Sequence, residues 1–349
     1  MSAHQRSLEA VQRYYGEILK SSADLKTSAC CVGDIPSPHI ARAIAHVHEE
    51  VRTRFYGCGS PIPHCLLGAK VLDLGCGAGR DCYVLAQLVG PTGHVIGVDM
   101  TAGQLETANK YRDYHAKKFG YANVEFRQGY IEDLKTAGIA DNSMDVVVSN
   151  CVLNLSPDKE SVFREIFRVL KPGGELYFSD VFSDRRVSDE LARDPVFLGE
   201  CLGGALYWED FRRLMAAVGC SDHRVIESRR LAINNADIER MAGSIGFCSV
   251  TVRAFKLDLE DRCEDYGQAV IYRGTIDEAP HEFRLDNHHC FKTGKAMTVC
   301  GNTADMIAGS RYAPHFQIIG DKSVHFGLFD CAPAQEQSND GAAAPTNCC

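Results

Sequence analysis

Sulfur and glycine are the residues through which this sequence could do chemistry. Sixteen of its 349 residues are cysteine, and thiolates act as soft ligands, nucleophiles and electron donors. One of them, Cys151 in the stretch SNCVLNLSP, follows closely on the apolar run Val146 to Val148. Buried parallel strands end in this way, and their carboxyl ends build ligand sites. The turn after that run offers Asn150, Cys151 and Asn154 and no acid or base. An oxygen or nitrogen nucleophile would need a base to take its proton, whereas a soft atom held by thiolates would not. Taken singly, each cysteine also fits a plain alternative, a small buried apolar residue.

The glycines sit in VLDLGCGAGRD, Val71 to Asp81. Gly75, Gly77 and Gly79 let a backbone turn sharply and approach a ligand closely. A dinucleotide fingerprint is G-x-G-x-x-G, but here the place of its third glycine is taken by Arg80. Asp73, at the foot of the loop, would repel a pyrophosphate. The next strand ends in Asp99 of GVDM, placed to accept hydrogen bonds from ribose hydroxyls. A nucleoside without phosphates fits this loop best.

Positioning such a loop requires a sheet. KVLDLG, HVIGVDM, VEFRQGY, MDVVVSN and GELYFSDV read as strands, and RDCYVLAQLVG, TAGQLETANKYRDYHAKKFG and DKESVFREIFRVLKPGG as the helices between them. That alternation predicts an α/β fold with a doubly wound parallel sheet. Ahead of it, Ser7 to Lys20 and SPHIARAIAHVHEEVRTRFYG read as helices, the second begun by Ser37 and Pro38. After Ser228 the rhythm weakens into strands without regular crossovers. The expected division is 1–65, a helical segment bearing thiols; 66–228, the doubly wound domain; 229–335, a small α+β domain; and 336–349, a polar tail.

The formal charge of −9 and the absence of a long basic run argue against nucleic acid as a partner. No apolar run approaches the roughly 20 residues of a membrane span, and the N-terminus lacks a signal-peptide core. A cytosolic, cytoplasmic location is expected. Cysteine at 16 of 349, about 4.6%, falls below the roughly 8–10% of a secreted disulfide scaffold.

From Lys70 to Val181 these features resemble the class I S-adenosylmethionine methyltransferases, whose sheet is Rossmann-like. The resemblance implies that Asp73, Gly75 and Gly77 cradle the methionine part, Asp99 with Met100 holds the ribose, and Ile131 and Glu132 bracket the adenine. Five stretches, YYGEILKSSADLKTSAC, HEEVRTRFYGCG, GRDCYVLAQLVG, VVVSNCVLNLSPDK and GECLGGALYW, narrow the likeness. Together they resemble the arsenite methyltransferases over Tyr14 to Trp208.

That resemblance carries four functional cysteines onto Cys30, Cys58, Cys151 and Cys201. It implies that Cys58, Cys151 and Cys201 bind trivalent arsenic, and that Cys30 is the redox partner of Cys58 in disulfide chemistry between methylation rounds. Tyr56 would contact the cofactor near its methyl group, and Asn150 would belong to the cofactor as well. Arsenite or its thiol conjugates would be the substrate, and thioredoxin or a small thiol the reductant. Cys31, next to Cys30, leaves open which of the two serves.

Cys65, Cys76, Cys82, Cys220 and Cys248 read as packing residues. His46 and His48 are too close together to face one side of a helix, and Asn287 to Cys290, NHHC, reads as an exposed loop. Two other functions stay open on the residues alone: a C- or O-methyltransferase for an organic acceptor, and a thiol-rich protein that sequesters a soft metal.

Overall fold

The computed structural model describes residues 11–12, 37–55 and 57–331. Its centre is an eight-stranded sheet: β1 (Lys70–Leu74), β2 (His94–Asp99), β3 (Val124–Gln128), β4 (Met144–Asn150), β5 (Leu170–Ser183), β6 (Leu206–Tyr207), β7 (His223–Arg230) and β8 (Phe247–Phe255). The order is β3-β2-β1-β4-β5-β8-β7, with β6 beside β5. Strands β1 to β5 are parallel, as the alternation with helices requires. The reversal of order between β1 and β4 opens the crevice where ligands bind in such sheets.

Alternation along β1 shows why the sheet is buried on both faces. Leu72 and Leu74 join the core beneath the helix Lys159–Val169, with Val162, Phe163 and Ile166. Val71 points the other way, into the core under the helix Arg80–Val89 with Tyr83, Val84 and Leu85. A period of two in the strand thus feeds two apolar layers.

The structure corrects several expectations. The helix read from Ser37 to Gly57 is two helices, Pro38–Ala45 and Glu49–Thr53. His48 breaks it, because its ring accepts the Glu50 N–H as an N-cap does. The stretch after Thr101 also divides, at Tyr111, into Ala102–Lys110 and Arg112–Phe119.

The boundary at 228 cuts through the sheet. β8 pairs antiparallel with β5 from Glu175↔Phe255 to Ser183↔Phe247, and β7 adds outside it. β8 is buried along most of its length, so the sheet runs on to Phe255. Of the Ser7 to Lys20 helix only Val11 and Gln12 are described, both helical. The tail 336–349 lies outside the described residues.

Beyond β8 stands the small α+β unit. Ala269–Tyr272 is flanked antiparallel by Ala296–Thr298 and Phe316–Ile319, and the helix Gly301–Ala308 packs with them around Val270, Phe283, Phe291 and Tyr312. Two buried ionic clusters fasten it to the sheet. Arg253 of β8 donates to Glu175 of β5 at 2.5 Å and to the Leu285 carbonyl at 2.5 Å, and Arg311 also pairs with Glu175. Arg224 of β7 pairs with Asp222 and Asp286. Here NHHC departs from expectation: His289 is buried, with its ring on the Asp286 carboxylate. Among the described residues no helix is long and apolar enough to cross a membrane.

Candidate active site

At the carboxyl ends of β1, β2 and β4 lies a cleft of about 980 Å³ including its mouth. Asp73, Gly75, Gly77, Asp99, Met100, Ile131, Glu132, Asn150 and Cys151 all line it. The structure therefore gathers at one place every candidate cofactor residue that it describes. Tyr56 lies outside the described residues, as do Cys30 and Cys31.

The glycine loop works by backbone geometry. Gly75 has φ +67 and a Cβ there would strike the Val152 side chain at 2.4 Å. Gly77 has φ +52 and nothing within 4 Å of its missing Cβ, so its backbone opens directly onto the cleft it lines. Asp99 pins the loop: its carboxylate accepts the Gly77 N–H at 2.8 Å and the Thr101 N–H at 2.8 Å. Burial raises the pKa of Asp99 against these two bonds. Asp73 is pushed well above the carboxylate range, first by burial and then by the neighbouring Asp81.

Charge decides what the cleft suits. Asp73, Asp81, Asp99 and Glu132 line it, and its two arginines are already engaged. Arg80 pairs with Asp81 and stacks 3.0 Å from the Phe55 ring centroid, and Arg54 is bound to Thr107 and Glu50. A phosphate would meet carboxylates. A cationic nucleoside such as S-adenosylmethionine meets carboxyl oxygens that can accept hydrogen bonds from its ribose and ammonium groups. Asp81, in the first turn of the helix after the loop, is a lining residue that sequence reasoning did not single out.

Beside this cleft three cysteines converge. Cys58, Cys151 and Cys201 are each at most 2% exposed and share one apolar cluster with Val181, Phe197 and Phe247. Cys151 leaves the end of β4 with φ +56, and Cys201 ends a turn after the helix Pro195–Gly199 with φ +61. The Cys201 thiol donates to the Cys151 carbonyl at 3.5 Å. The two turns interlock at Gly204, where a Cβ would stand 1.8 Å from the Asn154 carbonyl oxygen.

Cys58 is bonded to Cys151, with Cα atoms 5.8 Å apart, so Cys151 holds the position at Cys58 that the resemblance gives to Cys30. Asn150 is responsible. Its amide is spent on protein, accepting the Cys58 N–H at 3.0 Å and donating to the Gly59 carbonyl at 2.9 Å and to Asp81 at 3.3 Å. Asn150 thus lines the cleft and holds the Cys58 backbone beside Cys151. With that bond closed, no group of three Cys, His, Asp or Glu among the described residues is arranged to hold a metal ion.

Cys76, Cys82 and Cys220 are buried, as expected of packing residues, whereas Cys65 and Cys248 are only partly buried. The turn after β4 also rests on a carboxylate that sequence reasoning missed. Asp180 is fully buried, accepts the Asn154 N–H at 3.1 Å and the Val181 N–H at 2.8 Å, and burial pushes its pKa up to about 7. Asp180 lies within the strand GELYFSDV, where a carboxylate gives no periodic signal.

Comparison with known proteins agrees with this geometry. Residues 67–219 match a methyltransferase domain model, and residues 266–347 match the arsenite methyltransferase C-terminal domain. The arsenite methyltransferase of Aquipseudomonas alcaligenes is 56% identical over 98% of this chain and 99% of its own length. That of Homo sapiens is 48% identical over 89% of this chain and 84% of its own. The crystal structure of CrArsM, an arsenic (III) S-adenosylmethionine methyltransferase from Chlamydomonas reinhardtii, superimposes with a TM-score of 0.82 at 51% identity, covering 84% of this chain and all of that one. On these matches the chain belongs to the arsenite methyltransferase family.

Proposed function

We propose that this enzyme methylates trivalent arsenic, presented as arsenite or its thiol conjugates and held by Cys58, Cys151 and Cys201, to mono- and dimethylated products. The observation that carries this reading is the convergence of those three sulfurs in one buried cluster, with Cys151 itself lining the cofactor cleft. S-adenosylmethionine supplies the methyl group when bound in that cleft, with Asp99 holding its ribose and Asp73, Gly75 and Gly77 its methionine part. Met100 joins Asp99 at the ribose, Ile131 and Glu132 bracket the adenine, and Tyr56 takes the neighbourhood of the methyl. Thiolates leave trivalent arsenic its lone pair, so no base is needed.

The closed Cys58–Cys151 bond belongs to the oxidised state of this site. Methyl transfer leaves arsenic formally pentavalent, and its return to the trivalent state takes two electrons, which a dithiol gives by closing a disulfide. Attack of a Cys30 thiolate on the Cys58 sulfur would form Cys30–Cys58 and release Cys151 as a thiolate, with no net electron change. Thioredoxin or a small thiol then reopens the pair. We place the enzyme in the cytoplasm, where those reductants are maintained.

The test uses the reduced protein with arsenite, a thiol reductant and labelled S-adenosylmethionine. Methylated arsenic is expected from the natural sequence. Cys151→Ser and Cys201→Ser should each abolish it while cofactor affinity stays within about threefold. Normal turnover by either variant would overturn the assignment.

A further inference from the structure

Cys76 and Cys82 form a second dithiol, outside the cluster of Cys58, Cys151 and Cys201. Cys76 stands in the glycine loop and lines the cofactor cleft at 9% exposure, and Cys82 is fully buried in the first turn of the helix behind it. Both sulfurs pack over Gly97 of β2. A Cβ at Gly97 would stand 2.8 Å from each of them, so they are separated by at most twice that distance. Only glycine at this position lets the two thiols meet. The Cys82 thiol donates to Asp73 at 3.2 Å, so the pair also adjoins a carboxylate that lines the cleft.

We propose that Cys76 and Cys82 are a second binding site for a trivalent metalloid, and that its occupation closes the cleft to S-adenosylmethionine. Arsenous acid would exchange two of its hydroxyl groups for the two sulfurs. Two As–O and two S–H bonds break, two As–S bonds form and two waters leave, with no electron transferred. The product is neutral, which suits a site with so little water. Burial holds the Cys76 thiol up at about 11 and raises the Cys82 thiol well above its ordinary value, which keeps both slow toward alkylating agents and oxidants that need the thiolate. Exchange with arsenous acid instead consumes the thiol protons as water.

Space makes the two ligands exclusive. An arsenic atom between these sulfurs must push Cys76 toward the cleft and shift the turn whose Gly77 N–H is held by Asp99. A bound cofactor would in turn cover Cys76 and shield the pair. The inference rests on the reading above only for the class of ligand, since none of its residues belongs to the substrate thiols.

The experiment uses the full chain with Cys58→Ser, Cys151→Ser and Cys201→Ser combined, and arsenite alone as probe. Calorimetry should find S-adenosylhomocysteine binding at least tenfold weaker after arsenite treatment, unchanged when the nucleoside is added first, and restored by a dithiol chelator. Adding Cys82→Ser, whose hydroxyl can still donate to Asp73, should remove the effect. Unaltered affinity, or a loss that persists in the Cys82→Ser protein, overturns the proposal. Should Cys82→Ser misfold, Cys76→Ser in the same parent takes its place. It must remove the arsenite effect, and an undiminished loss of affinity is fatal to the idea. Failure of the natural sequence to methylate arsenite would sink the reading above and leave this result standing.

Discussion

The side chain of Asn150 holds the backbone of Cys58, accepting its N–H at 3.0 Å and that of Gly59 at 3.3 Å. This one amide joins the end of β4 to a segment 92 residues earlier. It thereby sets the distance between the Cys58 and Cys151 sulfurs. Asn150→Ala leaves buried N–H groups without an acceptor, which costs about 1–3 kcal/mol. Urea denaturation should show that loss, and methylation should fall more than tenfold because Cys58 is no longer anchored.

The Cys58–Cys151 bond predicts a strict need for reduction. Protein purified without reductant should give no methylated arsenic. Differential alkylation of Cys58 and Cys151 during titration with a reductant should rise in step with the recovered activity. Full activity with both cysteines unlabelled would contradict this account.

Asp180 predicts a pH dependence of stability. Its folded pKa of about 7 lies far above the unfolded value near 3.9. Between those values the folded state binds the extra proton, so this group's contribution to stability falls as pH rises from about 4 through 7. The loss is on the order of a few kcal/mol. Asp180→Asn should flatten the stability curve over that window relative to the natural sequence, as followed by denaturation at pH 5, 6, 7 and 8. Identical curves would show that Asp180 titrates normally.

Arg253, at 1% exposure, binds Glu175 and the Leu285 carbonyl. Its removal strands a buried carboxylate with Arg311 and Tyr312 as its remaining partners. Arg253→Met should cost about 3–5 kcal/mol. The triple replacement with Glu175→Leu and Arg311→Met should recover much of that, because no unpaired charge then remains. Thermal melts of the two variants separate the outcomes.

The strands from Lys70 to Val181 were legible because Val, Ile and Leu runs buried on both faces leave few other readings. β8 was not. FCSVTVRAF joins the same sheet, but it does so antiparallel and across a long connection, and neither feature is written in local spacing. The helix breaks at His48 and Tyr111 escaped notice because neither residue is glycine or proline. The cofactor residues could be read from the loop and from Asp99, whereas the meeting of Cys58, Cys151 and Cys201 came from resemblance. Which thiols touch depends on Asn150 and on the contact of Gly204 with Asn154, contacts made by residues distant in sequence.

Cys151 and Cys201 both occupy left-handed backbone, where a side chain is strained by about 1–3 kcal/mol and glycine is not. At both places the backbone therefore favours glycine, and the packing of the thiol in its apolar cluster opposes it. In a population relieved of arsenic and screened only for heat resistance, glycine should replace Cys201 first, leaving a stable scaffold that no longer methylates. The two thiols can persist only while turnover is selected, so their loss from a descendant chain would record the end of its exposure.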